Sequence, residues 1–190
     1  MDQRVWHVAI AILWIVWVLY WIFNAGKVKV TRWRESGLSQ LLHRAPLIIA
    51  AVLLFFGHWP FGFLVGHFLP ENGLTGALGT FMVIGGVAFS VWARHCLGAN
   101  WSSAVTLKED HTLIRSGPYA LVRHPIYSGM LLAIAGTAVV FGQWRDLLAF
   151  GFALVGLVYK AHIEERRMRE TFADYETYRR QTAALVPFIY

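Results

Sequence analysis

Two groups of polar residues stand out in a chain that is otherwise mostly apolar. The first is the run from His111 to Gly129, His-Thr-Leu-Ile-Arg-Ser-Gly-Pro-Tyr-Ala-Leu-Val-Arg-His-Pro-Ile-Tyr-Ser-Gly. The second is Lys160, Glu164 and Glu165, where a later hydrophobic run gives way to charge. Ionisable groups at the mouth of a membrane helix are costly to keep, so they point to a site. Pro125 suits the first position of a helix, where its missing N–H costs nothing, and this sets His124 at or next to the N-cap. The free N–H groups and positive dipole end of such a helix can receive an anion, and Arg123 adds a fixed positive charge. Lys160 and Glu164 lie four apart, hence on one helix face. A small ligand with an anionic and a cationic end fits this pattern, the first end at the helix start and His124, the second at a carboxylate such as Glu164. The membrane would supply an apolar second substrate.

Each of these residues has a plainer role to set beside the chemical one. Arg123 can anchor to lipid headgroups and His124 can simply cap a helix. Glu164 and Glu165 can form a solvated face with Arg167 and Arg169, and Lys160 can make a salt bridge with Glu164. His111 alone is an ordinary loop histidine. Tyr119 and Tyr127 serve as interface anchors, while Phe172, Tyr175 and Tyr178 recur every three residues as a packing stripe. Asn100 and Trp101 are placed to order the loop before the cassette, and His58 and His67 fall on the opposite side. The single cysteine, Cys96, excludes an internal disulfide, and no cysteine cluster suggests a metal.

The elements that must position these residues follow from hydropathy. Of 190 residues, 57% are hydrophobic and 15% charged, against about 25% charged in soluble domains; mean hydropathy is +0.49. Nine Trp and seven Tyr suit the aromatic belts of a bilayer protein. The pattern predicts an all-α polytopic membrane protein of about five transmembrane helices, a single integral membrane domain. Residues 1–93 supply scaffold helices and residues 94–190 the catalytic part. The first run, Val5 to Phe23, is about the ~20 residues a span needs and long for a signal peptide. The second, Ala45 to Leu69, is interrupted by Pro60 and is either one kinked helix or a helix with an interfacial loop. The third runs from Gly73 to about Trp92, its Gly76, Gly79, Gly85 and Gly86 suited to close helix packing. The fourth is Pro125 to Phe141. After a connection from Gly142 to Asp146, the fifth runs from Leu147 to about His162 and continues as a polar helix through Glu170. The last two form a hairpin, which sets Arg123 and His124 against Glu164 and Glu165 at one depth.

Charge sets the orientation. Every Lys and Arg except Arg4 and Arg145 falls in the loop from Asn24 to Arg44, the loop from Arg94 to His124, or the C-terminal segment. By the positive-inside rule these three face the cytoplasm and the N-terminus faces out. The net charge of +6 is explained by this bias and does not call for nucleic acid. A bacterial inner membrane is the expected location. No internal repeat supports a carrier.

The segments His-Thr-Leu-Ile (111–114), Ser-Gly-Pro-Tyr (116–119) and Val-Arg-His-Pro-Ile-Tyr-Ser-Gly (122–129) resemble the signature of the isoprenylcysteine carboxyl methyltransferases and related phospholipid methyltransferases. Glu164-Glu165, then Met168, Phe172, Tyr175, Tyr178 and Pro187, are similar to the family's C-terminal pattern. The resemblance covers roughly Trp101 to Pro187. It implies an S-adenosylmethionine site on the cytoplasmic side, lined by His111, Thr112, Leu113, Ile114, Tyr119, His124, Pro125, Ile126, Tyr127 and Glu164. It also implies methyl transfer to a lipophilic or lipidated acceptor entering from the bilayer. Where the family carries a substrate-contacting arginine, four residues before the glutamate, this chain has Lys160, a compact point charge instead of a planar fork. An upstream glutamine contact of the family has no clear counterpart, Ala104 falling near it. Arg123, Lys160 and Glu165 are the candidate catalytic residues. A carboxylate acceptor needs no general base, whereas an amine does, with Glu165 or His124 as candidates. The alternatives are a nicotinamide-dependent membrane reductase of the sterol-reductase kind, whose Arg-His-Pro-x-Tyr core is shared, and a non-catalytic lipid-binding protein.

Overall fold

The computed structural model describes residues 3–25, 31–56, 62–98, 101, 106–108, 113–187 and 189. In chain order they form α1 (Gln3–Asn24), β1 (Thr31–Arg34), α2 (Gly37–Phe55), the short α3 (Gly62–Val65), α4 (Gly73–Leu97), β2 (Thr106–Lys108), a 3-10 turn (Gly117–Ala120), α5 (Pro125–Phe141), α6 (Trp144–Thr171) and α7 (Tyr175–Gln181). β1 and β2 pair antiparallel, Thr31 opposite Lys108 and Arg34 opposite Thr106; the rest of the architecture is helical. α1, α2, α4 and α6 are long and apolar enough to cross a membrane, and α5 is a shorter apolar helix among them. The chain is an integral membrane protein. Its outward-facing Val5, Val8, Ile12, Ile15, Phe81 and Val155 present apolar surface to lipid.

Local signals explain the helix ends. Asn72 caps α4 through its side chain, accepting from Leu74 N and Thr75 N at 2.9 and 3.0 Å, a reciprocal capping box with Thr75. Pro125 opens α5 directly after His124, and Gly142 closes it at φ 64°, a left-handed conformation that favours glycine. The Gly142 carbonyl accepts from Phe68 N at 2.7 Å, fastening the far end of the α5–α6 hairpin.

The centre of the bundle is the contact between α4 and α5. An added Cβ on Gly79 would meet the Gly136 carbonyl at 2.5 Å, and one on Gly86 the Gly129 carbonyl at 2.4 Å; the reverse additions clash equally. Seven residues separate the glycines on each helix, so two reciprocal pairs let antiparallel backbones touch. Gly76 instead makes room for Trp6 of α1, and a Cβ on Gly85 would meet only a Leu132 methyl at ordinary contact distance. The indole N–H groups of α1 complete the packing, Trp14 donating to Thr137 at 3.0 Å and Trp17 to Ser90 at 2.9 Å. Buried Arg94 ties the α1 and α4 ends together, donating to the carbonyls of Asn24 and Gly98 at 2.9 and 2.7 Å.

Several boundaries differ from the sequence expectation. The second run is not one kinked helix: α2 ends at Phe55 and α3 is a separate turn, while Pro60 lies outside the described residues. α2 also begins at Gly37, so residues 37–44 are helix, not loop, and Arg44 and Pro46 sit inside it. The cause is Ser36, whose Oγ accepts from Ser39 N at 3.2 Å as an N-cap. α4 continues to Leu97. α6 starts at Trp144, because Gln143 and Asp146 form a second capping box.

Candidate functional site

The site is built where the start of α5 meets the polar end of α6. His124 is the α5 N-cap and lies between two carboxylates, with Nδ1 3.4 Å from Glu164 and Nε2 3.2 Å from Glu165. One turn on, Tyr127 donates its hydroxyl to Glu164 Oε1 at 2.6 Å. Its ring is parallel to the His124 ring within 1°, with centroids 5.4 Å apart. Lys160 Nζ stands 5.3 Å from the Tyr127 ring centroid, a cation–π distance. Arg123 Nε donates to Glu165 Oε1 at 2.8 Å, and Arg179 Nε approaches the other Glu165 oxygen at 3.5 Å.

Burial pulls the His124 imidazolium down, but hydrogen bonds and charge from Glu164 and Glu165 outweigh it and hold its pKa above the ordinary 6.5. Burial pushes the Tyr178 phenol up to about 12, so it serves as a donor, giving its hydrogen to the Tyr119 carbonyl at 2.6 Å.

The hairpin brings together Arg123, His124, Tyr127, Lys160, Glu164 and Glu165 as the sequence predicts. Pro125 and Ile126 are buried beneath them, Tyr119 lines the adjoining 3-10 turn, and Leu113 and Ile114 are half-buried in the segment leading to it. His111, Thr112, Ala104, Asn100 and His58 lie outside the described residues. Tyr175 and Tyr178 pack edge to face at 6.0 Å. His67, at the other end of the bundle, pairs with Glu71 at 2.8 Å.

Several donors around the α5 start are already engaged within the chain, two of them by its C-terminal segment. Arg123 N and His124 N donate to the carbonyls of Ala183 and Ala184 at 2.9 and 3.1 Å, and Tyr127 N bonds back to the His124 carbonyl at 3.0 Å. The Arg123 guanidinium also donates to the Arg179 carbonyl at 2.9 Å and to the Thr182 carbonyl, and Ser128 Oγ donates to the Leu185 carbonyl. Residues 182–185 thus form a strap against 122–128. Arg123 holds this strap and Glu165 together and does not stand as a free charge.

A second polar string went unnoticed in the sequence. On α2 and the residue before its cap, Glu35 accepts from Ser39 Oγ at 2.6 Å and pairs with His43 Nε2 at 2.9 Å. Both Glu35 and His43 are buried. Ser39 and His43 lie four apart on one face of α2, and Glu35, just ahead of the N-cap, continues the same spacing into a stretch whose basic residues suggest a loop.

These features define a membrane-embedded helical site with a carboxylate pair at its centre. Residues 77–170 match the family model for the isoprenylcysteine carboxyl methyltransferase (ICMT) family. A protein-S-isoprenylcysteine O-methyltransferase of Saccharomyces cerevisiae is 32% identical over 120 residues, 61% of this chain and 50% of that one. A probable protein-S-isoprenylcysteine O-methyltransferase of Oryza sativa subsp. indica is 31% identical, covering 64% of this chain and 65% of that one. The cobalt-zinc-cadmium resistance protein CzcN of Cupriavidus metallidurans is 34% identical over 48% of this chain and 43% of its own. The matched segment holds α5 and most of α4 and α6. The chain's matches span between 43% and 65% of the length of these relatives.

Proposed function

We propose that the protein transfers a methyl group from S-adenosylmethionine to a lipophilic acceptor that reaches the site from the bilayer. The observation that carries this reading is the Glu164–Glu165 pair, fixed by His124, Tyr127 and Arg123 at the membrane exit, in a segment of a methyltransferase family. The residues fit the cofactor. The Glu164 side chain keeps 22% of its surface open, so a carboxylate already oriented by two partners has lone pairs left for an ammonium. Tyr119, Ile114 and Leu113 offer aromatic and apolar lining for a nucleoside. When bound, the cofactor supplies a methyl group on a sulfonium, and transfer then depends on aligning donor and nucleophile and excluding water.

Within this reading Glu164 binds the ammonium, His124 and Tyr127 hold Glu164 in place, and Arg123 keeps Glu165 and the strap closed over the site. Lys160 faces the acceptor. The bacterial relative above and the positive-inside pattern favour an inner membrane with the site on the cytoplasmic side. Calorimetric titration of detergent-purified protein with S-adenosylhomocysteine, and separately with NADPH, tests the reading. S-adenosylhomocysteine binds and NADPH does not; the reverse result replaces the methyltransferase with a reductase.

A further inference from the structure

We propose that the end of the bundle away from Glu164 and Glu165 holds a binding site for a neutral hydroxyl group, water or the free hydroxyl of an amphiphile, lined by Gln3, Trp6, His7 and Thr80. The site is separate from the carboxylate pair and does not depend on the methyl-transfer reading.

The first observation is a set of four polar atoms closed to solvent and without a hydrogen-bond partner among the described residues. They are Gln3 Oε1, Trp6 Nε1, His7 Nε2 and Thr80 Oγ1. Gln3, Trp6 and His7 are spaced three and four apart, so they share one face of α1. That face meets both α4 and α5. An added Cβ on Gly76 of α4 would stand 2.4 Å from the Trp6 ring. The His7 ring lies 4.8 Å, centroid to centroid, from Phe141 at the end of α5. Thr80 follows Gly76 by four residues on the same face of α4. α1 and α4 run in the same direction, because Trp17 donates to Ser90 and Arg94 to the Asn24 carbonyl further along both helices. Thr80 therefore falls between the Trp6–Gly76 contact and the Trp17–Ser90 bond, nearer the first.

The second observation is what the neighbouring hydroxyls do. Thr137 and Ser90 each donate to their own helix, to the Ala133 carbonyl at 2.8 Å and the Val87 carbonyl at 2.9 Å. Each also accepts an indole N–H, from Trp14 and Trp17. Trp6 and Thr80 carry the groups for a third rung of this ladder but do not bond to one another, and Thr80 makes no bond to its own helix.

The set selects its ligand. The Trp6 indole only donates, and the Thr80 hydroxyl has its hydrogen to give. Gln3 Oε1 accepts, and His7 Nε2 accepts when the ring hydrogen sits on Nδ1. Two donors and two acceptors complement the two lone pairs and two hydrogens of water, which makes about three hydrogen bonds when enclosed. An alcohol complements three of the four. An anion would face the two acceptors and a metal ion the two donors, so neither fits. Without a ligand the four groups would lose their hydration with nothing in return. They lie in the first turns of α1 and α4, at the membrane surface, where water and amphiphile hydroxyls both reach.

The test uses the full chain in a detergent without hydroxyl groups, dodecylphosphocholine, and in one rich in them, dodecyl maltoside. Nuclear Overhauser transfer to the Trp6 indole N–H is measured in each, with Trp14, bonded directly to Thr137, as the reference. Transfer from water to Trp6 and not to Trp14 in both detergents assigns water. Transfer from the sugar protons of the maltoside, in that detergent alone, assigns the amphiphile. No transfer to Trp6 in either detergent, or equal transfer to Trp14, overturns the site. A second arm uses Thr80→Val, which keeps the shape and removes the hydroxyl. With a ligand bound, the variant takes away one of its partners, and the melting temperature falls by at least about 2 °C. If the four atoms are merely unpaired, removing one of them leaves the melting temperature unchanged or raises it, and that result overturns the proposal. The Overhauser arm is made on wild-type protein and decides the matter if the variant does not fold.

Discussion

His124 and Tyr127 lie one helical turn apart with parallel rings, and both hold the same carboxylate, Glu164, from the same helix end. Glu164 is therefore oriented before any ligand arrives. Glu164→Gln keeps the shape and removes the charge. Losing a charge-assisted hydrogen bond costs about 1.5–3 kcal/mol, so S-adenosylhomocysteine affinity should fall roughly ten- to a hundredfold by calorimetry. Lys160→Met should stay within about threefold in the same titration, since a charge facing the acceptor contributes little to cofactor binding. The assignment fails if Lys160→Met abolishes binding and Glu164→Gln does not.

The cation at His124 links stability to pH. Its folded-state pKa is raised by Glu164 and Glu165, so its contribution is fully present below the ordinary value of 6.5 and is lost as pH rises through the folded value. Arg123, Arg179, Lys160 and Tyr127 also face the two carboxylates. The melting temperature in detergent should decline as pH rises above 6.5 toward the folded value, and His124→Asn should flatten that decline. A variant with the same slope as the wild type would detach the effect from His124.

The Arg123 side chain reaches three acceptors, Glu165 and the carbonyls of Arg179 and Thr182, and so ties the start of the strap to α6 and α7. Each net hydrogen bond contributes about 1 kcal/mol. Arg123→Ala should raise the labelling rate of a cysteine placed at Ala184, in a Cys96→Ser background, by at least about tenfold. Arg123→Lys should be intermediate, because one ammonium cannot match the fork of the guanidinium. Unchanged labelling in both would show that main-chain bonds alone hold the strap.

The glycine pairs make a sharp contrast with a neighbour. Gly86→Ala puts a Cβ 2.4 Å from a backbone oxygen, whereas Gly85→Ala meets only a Leu132 methyl at 3.9 Å. Thermal or denaturant unfolding in detergent should show a loss of about 1–3 kcal/mol for the first and a change within about 0.5 kcal/mol for the second. Equal effects would mean that α4 and α5 do not touch through these residues.

If α5 crosses the membrane together with the four longer helices, Ser36 and Thr182 lie on one side and Asn72 on the other. In a Cys96→Ser background, cysteines at Ser36 and Thr182 should be protected from an impermeant reagent in intact cells, and one at Asn72 should react. Opposite reports from Ser36 and Thr182 would require an odd number of crossings between them.

The sequence shows some of this architecture plainly and conceals the rest for physical reasons. α5 is bounded by Pro125 and Gly142, residues whose backbone preferences mark a helix start and stop, and its ends were legible to the residue. The meeting of His124 with Glu164 and Glu165 followed from a hairpin with a short connection. The start of α2 did not follow, because hydropathy detects the part of a helix within lipid and not the turns that project beyond it. Glu35 and His43 escape notice for the same reason, His43 lying in the early turns of α2 and Glu35 just before its cap. The strap at 182–185 carries no periodicity at all; its pairing with 122–124 is made by main-chain atoms, which every residue but proline possesses in full.

The reciprocal glycine pairs also have a mechanical meaning. With Gly79 against Gly136 and Gly86 against Gly129, α4 and α5 cannot slide past one another without driving a carbonyl into a side chain. His124 and Tyr127 ride on the end of that locked pair. In a bilayer of different thickness the two helices would tilt as one plank, and Glu164 and Glu165, held by His124 and Tyr127, would keep their distance from the opposite membrane face like a mark on a ruler. Chain length or lipid composition should therefore change how an acceptor enters more than where it reacts.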